Sequence, residues 1–428
     1  MAATNSRLAP SSRLRGTVDR YRKARQSLRT PGSWQSRYGL DWTNFFLADA
    51  QTGFGTFIAF YLAGLGWSKS SVGWALTTAT LASVLVQITG GALADAVRWK
   101  RALVAAGIVM IAAAALILAF APTTTLVFLA EFLQGSTGGV VTPAISAISL
   151  GLVGRHAMSL RTGRNIRYSA AGHALTAGLM GAAGATFANS AIFVATAILC
   201  VPALVALEFI RPQEIDYRKA RNAAKEKDAG NARIADLLKN RRLLLFTAAL
   251  VLFQLADASL LPLLGENLAA DKHHASLMMS GLIAVPQIVV ALAAPWVGYH
   301  SEKKGRRPLL LIGFLAEPAR AGVLALTSWY PFLVAAQILD GVSGAIITVL
   351  TVLVITDLTA GTGRFNLTNG FVGSMIGIAA SISTLATGYL FQSFGKLTSF
   401  LTITAIAGAA ALLIWIFVTE TKPAKYED

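Results

Sequence analysis

The sequence predicts an all-α membrane protein of twelve transmembrane helices in two pseudo-symmetric six-helix bundles, and three observations carry that expectation. Apolar runs long enough to cross a bilayer recur along the chain, lysine and arginine crowd into alternate loops, and the second half repeats short motifs of the first. Of 428 residues, 54% are hydrophobic and 14% charged, with a mean hydropathy of +0.58. Soluble globular chains carry about 25% charged residues, so this supply cannot build a water-facing surface. Each spanning helix needs about 20 apolar residues, which leaves room for about a dozen.

The first six runs lie at about 39–64, 72–94, 102–121, 124–153, 165–187 and 190–210. The second six lie at about 243–268, 275–298, 308–327, 330–357, 365–390 and 397–418. Between the sets, Arg211–Arg242 is the only long polar stretch inside the chain and reads as a linker, with an amphipathic surface helix around Ile234–Leu238. The domain plan is therefore a basic tail (1–38), a first bundle (39–210), the linker (211–242), a second bundle (243–418) and a short C-terminal tail (419–428).

A net charge of +16 would suit a nucleic-acid partner if it formed a patch on a soluble module. Here the basic residues sit in short segments between apolar runs, which the positive-inside rule explains with no nucleic acid. Threading the loops alternately puts 33 of the 37 lysines and arginines on one side; Lys69, Lys272 and Lys396 fall on the other, and Arg320 within a span. Both termini are thereby expected in the cytoplasm, in a multi-pass protein of the cytoplasmic (inner) membrane. Residues 1–38, rich in Arg and Ser, have the composition of an organellar transit peptide, but read more simply as a basic cytoplasmic tail. One cysteine, Cys200, lies in an apolar run and leaves no disulfide framework or cysteine metal site. No phosphate-binding glycine loop ending in Gly-Lys-Ser/Thr, no zinc-protease motif and no nucleophile elbow occurs, so neither ATP drive nor an enzyme is expected, and no cofactor or metal.

The halves repeat. Leu47-Ala48-Asp49-Ala50 recurs as Leu255-Ala256-Asp257-Ala258, and Glu131-Phe132-Leu133-Gln134-Gly135 as Gln337-Ile338-Leu339-Asp340-Gly341. Thr162-Gly163-Arg164 returns as Thr362-Gly363-Arg364, and the segment Gly91 through Arg101 corresponds to Gly298 through Pro308. Four matches in order at nearly constant spacing indicate a duplicated six-helix unit, the layout of one large transporter class.

The Gly91–Arg101 segment resembles the signature between the second and third helices of the major facilitator superfamily, and Gly298–Pro308 is closer to that pattern in its basic half. Ala96, Arg98 and Trp99 depart from it in the first copy, and Glu131 stands where many proton-coupled exporters of the family have arginine. The resemblance covers about 40–417 and implies a cytoplasmic gate formed by Gly91, Asp95, Lys100, Arg101 and Arg164 with Gly298, Glu302, Arg306, Arg307 and Arg364. By pseudo-symmetry, Asp95 is expected to meet the start of the eleventh helix, and Glu302 the start of the fifth, because helix N-termini attract anions.

An ionisable group at mid-membrane costs about 2.5–3.5 kcal/mol on insertion scales, so each one needs a reason. Asp49 and Asp257, related by the repeat and lying on helices that line the family's cavity, are the proton-coupling candidates; a carboxylate buried for packing is the competing reading. Thr52 and Thr56 share a face with Asp49, and Gln254 shares one with Asp257. Glu131 with Gln134, and Gln337 with Asp340, suit substrate contact or interhelical hydrogen bonding equally. Glu317 and Arg320, three residues apart on a helix that is peripheral in this family, read as a self-neutralising structural pair. His173 and Arg167 are placed at the cavity or its cytoplasmic entrance. The leading expectation is a monomeric, proton-coupled transporter of a small organic solute, in contact with membrane lipid, with export favoured. Import of a nutrient or metal chelate, or a non-transporting receptor on the same fold, are the alternatives.

Overall fold

The computed structural model describes residues 32–52, 58, 61–62, 64–183, 190–224, 237–260, 275–327 and 329–423, with side chains except at 49–52, 69, 177–183, 191, 275–280 and 384. Long apolar runs form the helices, which continue through interior prolines such as Pro143, Pro202, Pro286 and Pro318, and left-handed glycines divide the longest of them. Helix α1 is Trp34–Thr52, α2 is Lys69–Ala96 and α3 is Lys100–Phe120. The continuous stretch Thr124–Ala183 turns at Gly154, whose φ of 68° is costly for any residue with a Cβ, and so divides into α4 (124–153) and α5 (155–183). Helix α6 is Ala191–Glu208, followed by a short turn at Pro212–Glu214 and a helical turn at Tyr217–Ala220. The second half holds α7 (Arg241–Asp257), α8 (Ala275–Lys304), α9 (Arg307–Leu326) and α10 (Tyr330–Leu358). Phe365–Phe417 turns at Gly395 into α11 (365–394) and α12 (396–417).

One boundary corrects the sequence expectation. No loop spans 154–167: α5 begins directly after Gly154, and Thr162-Gly163-Arg164 lie inside it, whereas their repeat does precede α11. The charges in 155–164 do not break the helix because Arg161, only 1% exposed, is satisfied by Asp41 of α1 and by Asn165 one turn along its own helix. Most of the linker helix expected at Ile234–Leu238 lies outside the described residues.

Seven stretches are long and apolar enough to cross a membrane among the described residues, the bent pairs α4–α5 and α11–α12 counting once each. Large apolar side chains such as Leu85, Leu292, Leu385 and Trp415 are exposed on their outer faces. That surface suits lipid and would aggregate in water. Val104, Ile108, Ile111 and Phe193 pack inside the first half, and Phe246, Phe253, Phe314 and Leu350 inside the second.

Two seams join the halves, α2 against α11 and α5 against α8. A Cβ on Gly91 would meet the Asn366 carbonyl oxygen at 2.3 Å, and one on Gly298 the Ser159 carbonyl oxygen at 2.4 Å. Backbones this close exclude every larger residue.

Candidate functional site

The charged centre of the molecule is Arg320 on α9. Its Nη1 donates to Asp257 Oδ1 at the end of α7 (2.7 Å), to Glu317 Oε1 one turn back (3.1 Å) and pairs with Asp340 Oδ1 on α10 (3.0 Å). Its Nη2 donates to Gln337 Oε1, also on α10, at 3.3 Å. Spacings of three residues put Glu317 and Arg320 on one face of α9, and Gln337 and Asp340 on one face of α10. Three carboxylates therefore surround one guanidinium, with their oxygens within 4.8 Å of one another. Fully ionised, the group would carry an excess of two negative charges where solvation is poor, a state that only proton uptake or another cation relieves.

This centre forms one wall of a cavity of about 450 Å³ between the halves. Asp257, Arg320 and Asp340 face Ile166, Ser169 and His173 of α5, with Gln287 of α8 alongside. A second cavity of about 170 Å³ shares Ile166, Ser169 and Thr348 and continues to Asn44 of α1 and Ser146 of α4. Solute in this space would touch both halves, and the acids it meets are partly open: the Asp257 and Asp340 side chains are 29% and 25% exposed, against 2% for Arg320.

The expected site residues divide accordingly. Asp257 and Asp340 line the cavity and Gln337 braces Arg320 from behind. Gln254 lies one turn before Asp257, half-buried and outside the cavity lining. Gln134 lines a separate space of about 520 Å³ between α2, α4 and α11. Glu131 is 2% exposed, and its Oε1 has no hydrogen-bond partner among the described residues. The Asp49 and Thr52 side chains and all of Thr56 lie outside the described residues. His173 lines the cavity, whereas Arg167 is exposed and does not. The reading of Glu317–Arg320 as a self-contained peripheral pair is corrected: Arg320 ties α9 to α7 and α10 and reaches the cavity. Charge balance was the available signal, since Asp257, Glu317 and Asp340 have one cation among them in the second-half spans.

At the basic face, Asp95 caps α11. Its carboxylate accepts from the backbone N–H of Leu367 (2.8 Å) and Asn366 (3.3 Å) and from Asn366 Nδ2 (2.8 Å). Arg306 holds Glu302 (2.9 Å) and Asp357 (3.2 Å) within the second half, and Asp357 also feels the charge of Arg155 on the first turn of α5. Several other residues grouped into the expected gate bind inside their own half. Arg101 pairs with Glu208 (2.5 Å), Arg307 donates to the Trp415 carbonyl oxygen (2.6 Å), and Arg164 pairs with Asp41 (2.5 Å). Arg364 precedes α11, and Lys100, donating to the Ala94 carbonyl oxygen, lies 5.1 Å from the Tyr217 ring.

Two features escaped the sequence. Asp41, wholly buried on α1, accepts from both Arg161 and Arg164 of α5. Residues 216–224 form a strap across both halves. Tyr217 Oη donates to the Ala96 carbonyl oxygen at the end of α2 (2.7 Å), while Asn222 Nδ2 donates to the Thr356 carbonyl oxygen of α10 (2.7 Å). Arg221, stacked 4.2 Å over Tyr217, accepts at its carbonyl oxygen from Phe365 N, and Ala224 N donates to the Gly361 carbonyl oxygen.

Two helical halves around a charged cavity are the arrangement of a class of membrane transporters built from repeated bundles. The chain belongs to the Major Facilitator Superfamily, whose sequence model matches residues 41–316 and 249–428. It is 35% identical over 387 residues to an uncharacterized MFS-type transporter of Mycobacterium tuberculosis, covering 89% of this chain and 93% of that one. A shorter match, 26% identical over 164 residues, is to the multi-drug resistance efflux pump PmrA of Streptococcus pneumoniae (37% of this chain, 40% of that one). A crystal structure of a mutant nucleoside transporter NupG has the same fold, with a TM-score of 0.65 at 14% identity, over 89% of this chain and 98% of that one. The protein is thus a multi-pass membrane transporter, with a small-molecule substrate.

Proposed function

We propose that this transporter exports a small organic solute across the cytoplasmic membrane in exchange for protons, with Asp257 and Asp340 as the groups that trade them. The observation that carries the reading is the sharing of Arg320 by three carboxylates at the cavity wall. A proton arriving on Asp257 or Asp340 frees Arg320 to lean on the remaining acids, and leaving restores the original pairing. Because the three acids sit on α7, α9 and α10, that exchange shifts the balance of contacts among helices, as a coupling step requires. Export is supported by the partial likeness to a pump named for multidrug efflux. The basic loops support cytoplasmic termini, and the repeated motifs support two six-helix bundles of twelve spans acting within a monomer. In this reading Asp95 and the strap at 216–224 hold the cytoplasmic side shut, and both must let go for the cavity to open inward. The proposed coupling role of Asp49 has the same origin in the repeat.

Proteoliposome assays with a solute found by thermal-stabilisation screening test the reading. Asp257→Asn and Asp340→Asn should keep solute counterflow while losing pH-driven movement. Driven transport at wild-type rates in both variants would remove protons from the cluster's role.

A further inference from the structure

The outer wall of the first half carries a groove that the transport site does not use. It encloses about 520 Å³ between α1 and α6, with Trp34, Tyr38 and Trp42 on one bank and Val201, Val205 and Phe209 on the other. Spacing of four residues puts the three aromatics on one helix face, and all six side chains are exposed on the outside of the bundle. Gly39 forms the floor, where a Cβ would meet the Ala206 carbonyl oxygen at 2.8 Å. The groove is therefore built by close backbone approach beneath an aromatic rim.

Its end toward the basic face is positively charged. Arg211 is held there because its backbone N–H donates to Ser36 Oγ at 3.0 Å, and its side chain is 56% exposed. Glu214 lies 3.8 Å from it and also accepts from the Ser33 backbone N–H at 2.8 Å. On the other flank the Arg164 guanidinium stands 5.2 Å from the Tyr38 ring with its side chain 42% exposed. Asp41 serves both Arg161 and Arg164, so that group keeps an excess of one positive charge. Tryptophan and tyrosine mark the headgroup level of a bilayer, and arginine recognises phosphate by charge-assisted hydrogen bonds.

We infer that the groove binds one anionic phospholipid, from the leaflet on the basic side, with an acyl chain along Tyr38 and Trp42 and its phosphate between Arg211 and Arg164. A solute in transit would need a path inward, whereas this groove opens outward between exposed apolar walls. The uncompensated arginine charge selects an anionic over a zwitterionic headgroup. Arg164 also holds Asp41, close to the cavity-lining Asn44 and Asn165, so bound lipid acts on the α1–α5 contact beside the transport path.

The full chain, equilibrated with equal amounts of phosphatidylglycerol and phosphatidylcholine of identical acyl chains, is measured by native mass spectrometry. Wild type should retain one phosphatidylglycerol in preference. Arg211→Gln should lower that retention about fivefold, and Trp42→Ala should lower retention of both lipids. Lys303→Gln, on the basic face away from the groove, should change nothing. Equal retention of the two lipids by wild type, or an equal drop in Lys303→Gln, overturns the site in favour of a diffuse field. A photoreactive residue in place of Trp42 provides a readout at the groove itself: a phosphatidylglycerol adduct supports the site, and an adduct with residues 1–31 of the chain, or none, rejects it.

Discussion

The two halves descend from one repeat, yet their centres are built differently. In the second half, Arg320 binds acids from three helices at the cavity wall. The corresponding stretch of α3 in the first half is alanine (Ala112 to Ala115), and Glu131, the partner of Gln337 in the repeat, is buried with an oxygen left without a described partner. On the basic face, Asp95 caps α11 of the opposite half directly, while Glu302 shares Arg306 with Asp357, which in turn feels Arg155 of α5. Duplication supplied two frames, and the charged residues were then placed unequally: the shared guanidinium of Arg320 lies in one half, and the acid that caps the facing helix, Asp95, in the other.

Arg320→Leu should break this contrast most severely, because it leaves three acids, the wholly buried Glu317 among them, without their shared cation. A loss of about 3–5 kcal/mol is expected, read as a large fall in melting temperature, and Arg320→Leu combined with Asp257→Asn and Glu317→Gln should recover part of it. No recovery would mean that the arginine acts by packing alone. Asp95→Ala comes next. It removes charge-assisted bonds to the start of α11, about 1.5–3 kcal/mol for such an interaction, and should raise the reactivity of a cysteine placed at the α2–α11 seam. Unchanged labelling there would show that the cap does not hold the seam.

Glu131→Leu should shift stability the other way. Removing a buried polar group without a partner gains about 1–3 kcal/mol, visible as a raised melting temperature; destabilisation instead would reveal a partner on a segment outside the described residues. The smallest effect is expected for Glu302→Gln, whose partly exposed pair with Arg306 contributes about 0.2–1 kcal/mol. If it opens the seam as much as Asp95→Ala does, the two loops are equivalent after all and the asymmetry is superficial.

Much was legible along the chain because membrane folding is dominated by local terms. The apolar runs, the loop charges and the glycines at 91 and 298 each report burial or close approach at their own position, and the family follows from them. The Asp95 contact with α11 was also reachable, since a helix N-terminus and an acid at the facing loop need only the pseudo-symmetry to be brought together. Other features were not. Arg320 and Glu317 form a complete pair when seen on α9 alone, and only the packing of α7 and α10 against that face adds Asp257 and Asp340 and makes the charge uneven. Asp41 and Arg164 are separated by 123 residues, and the strap at 216–224 works through backbone carbonyls that have no sequence signal. Apolar spans and kinship are written in periodicity and composition; which charges share one low-dielectric pocket depends on helix rotation, and only the folded chain decides that.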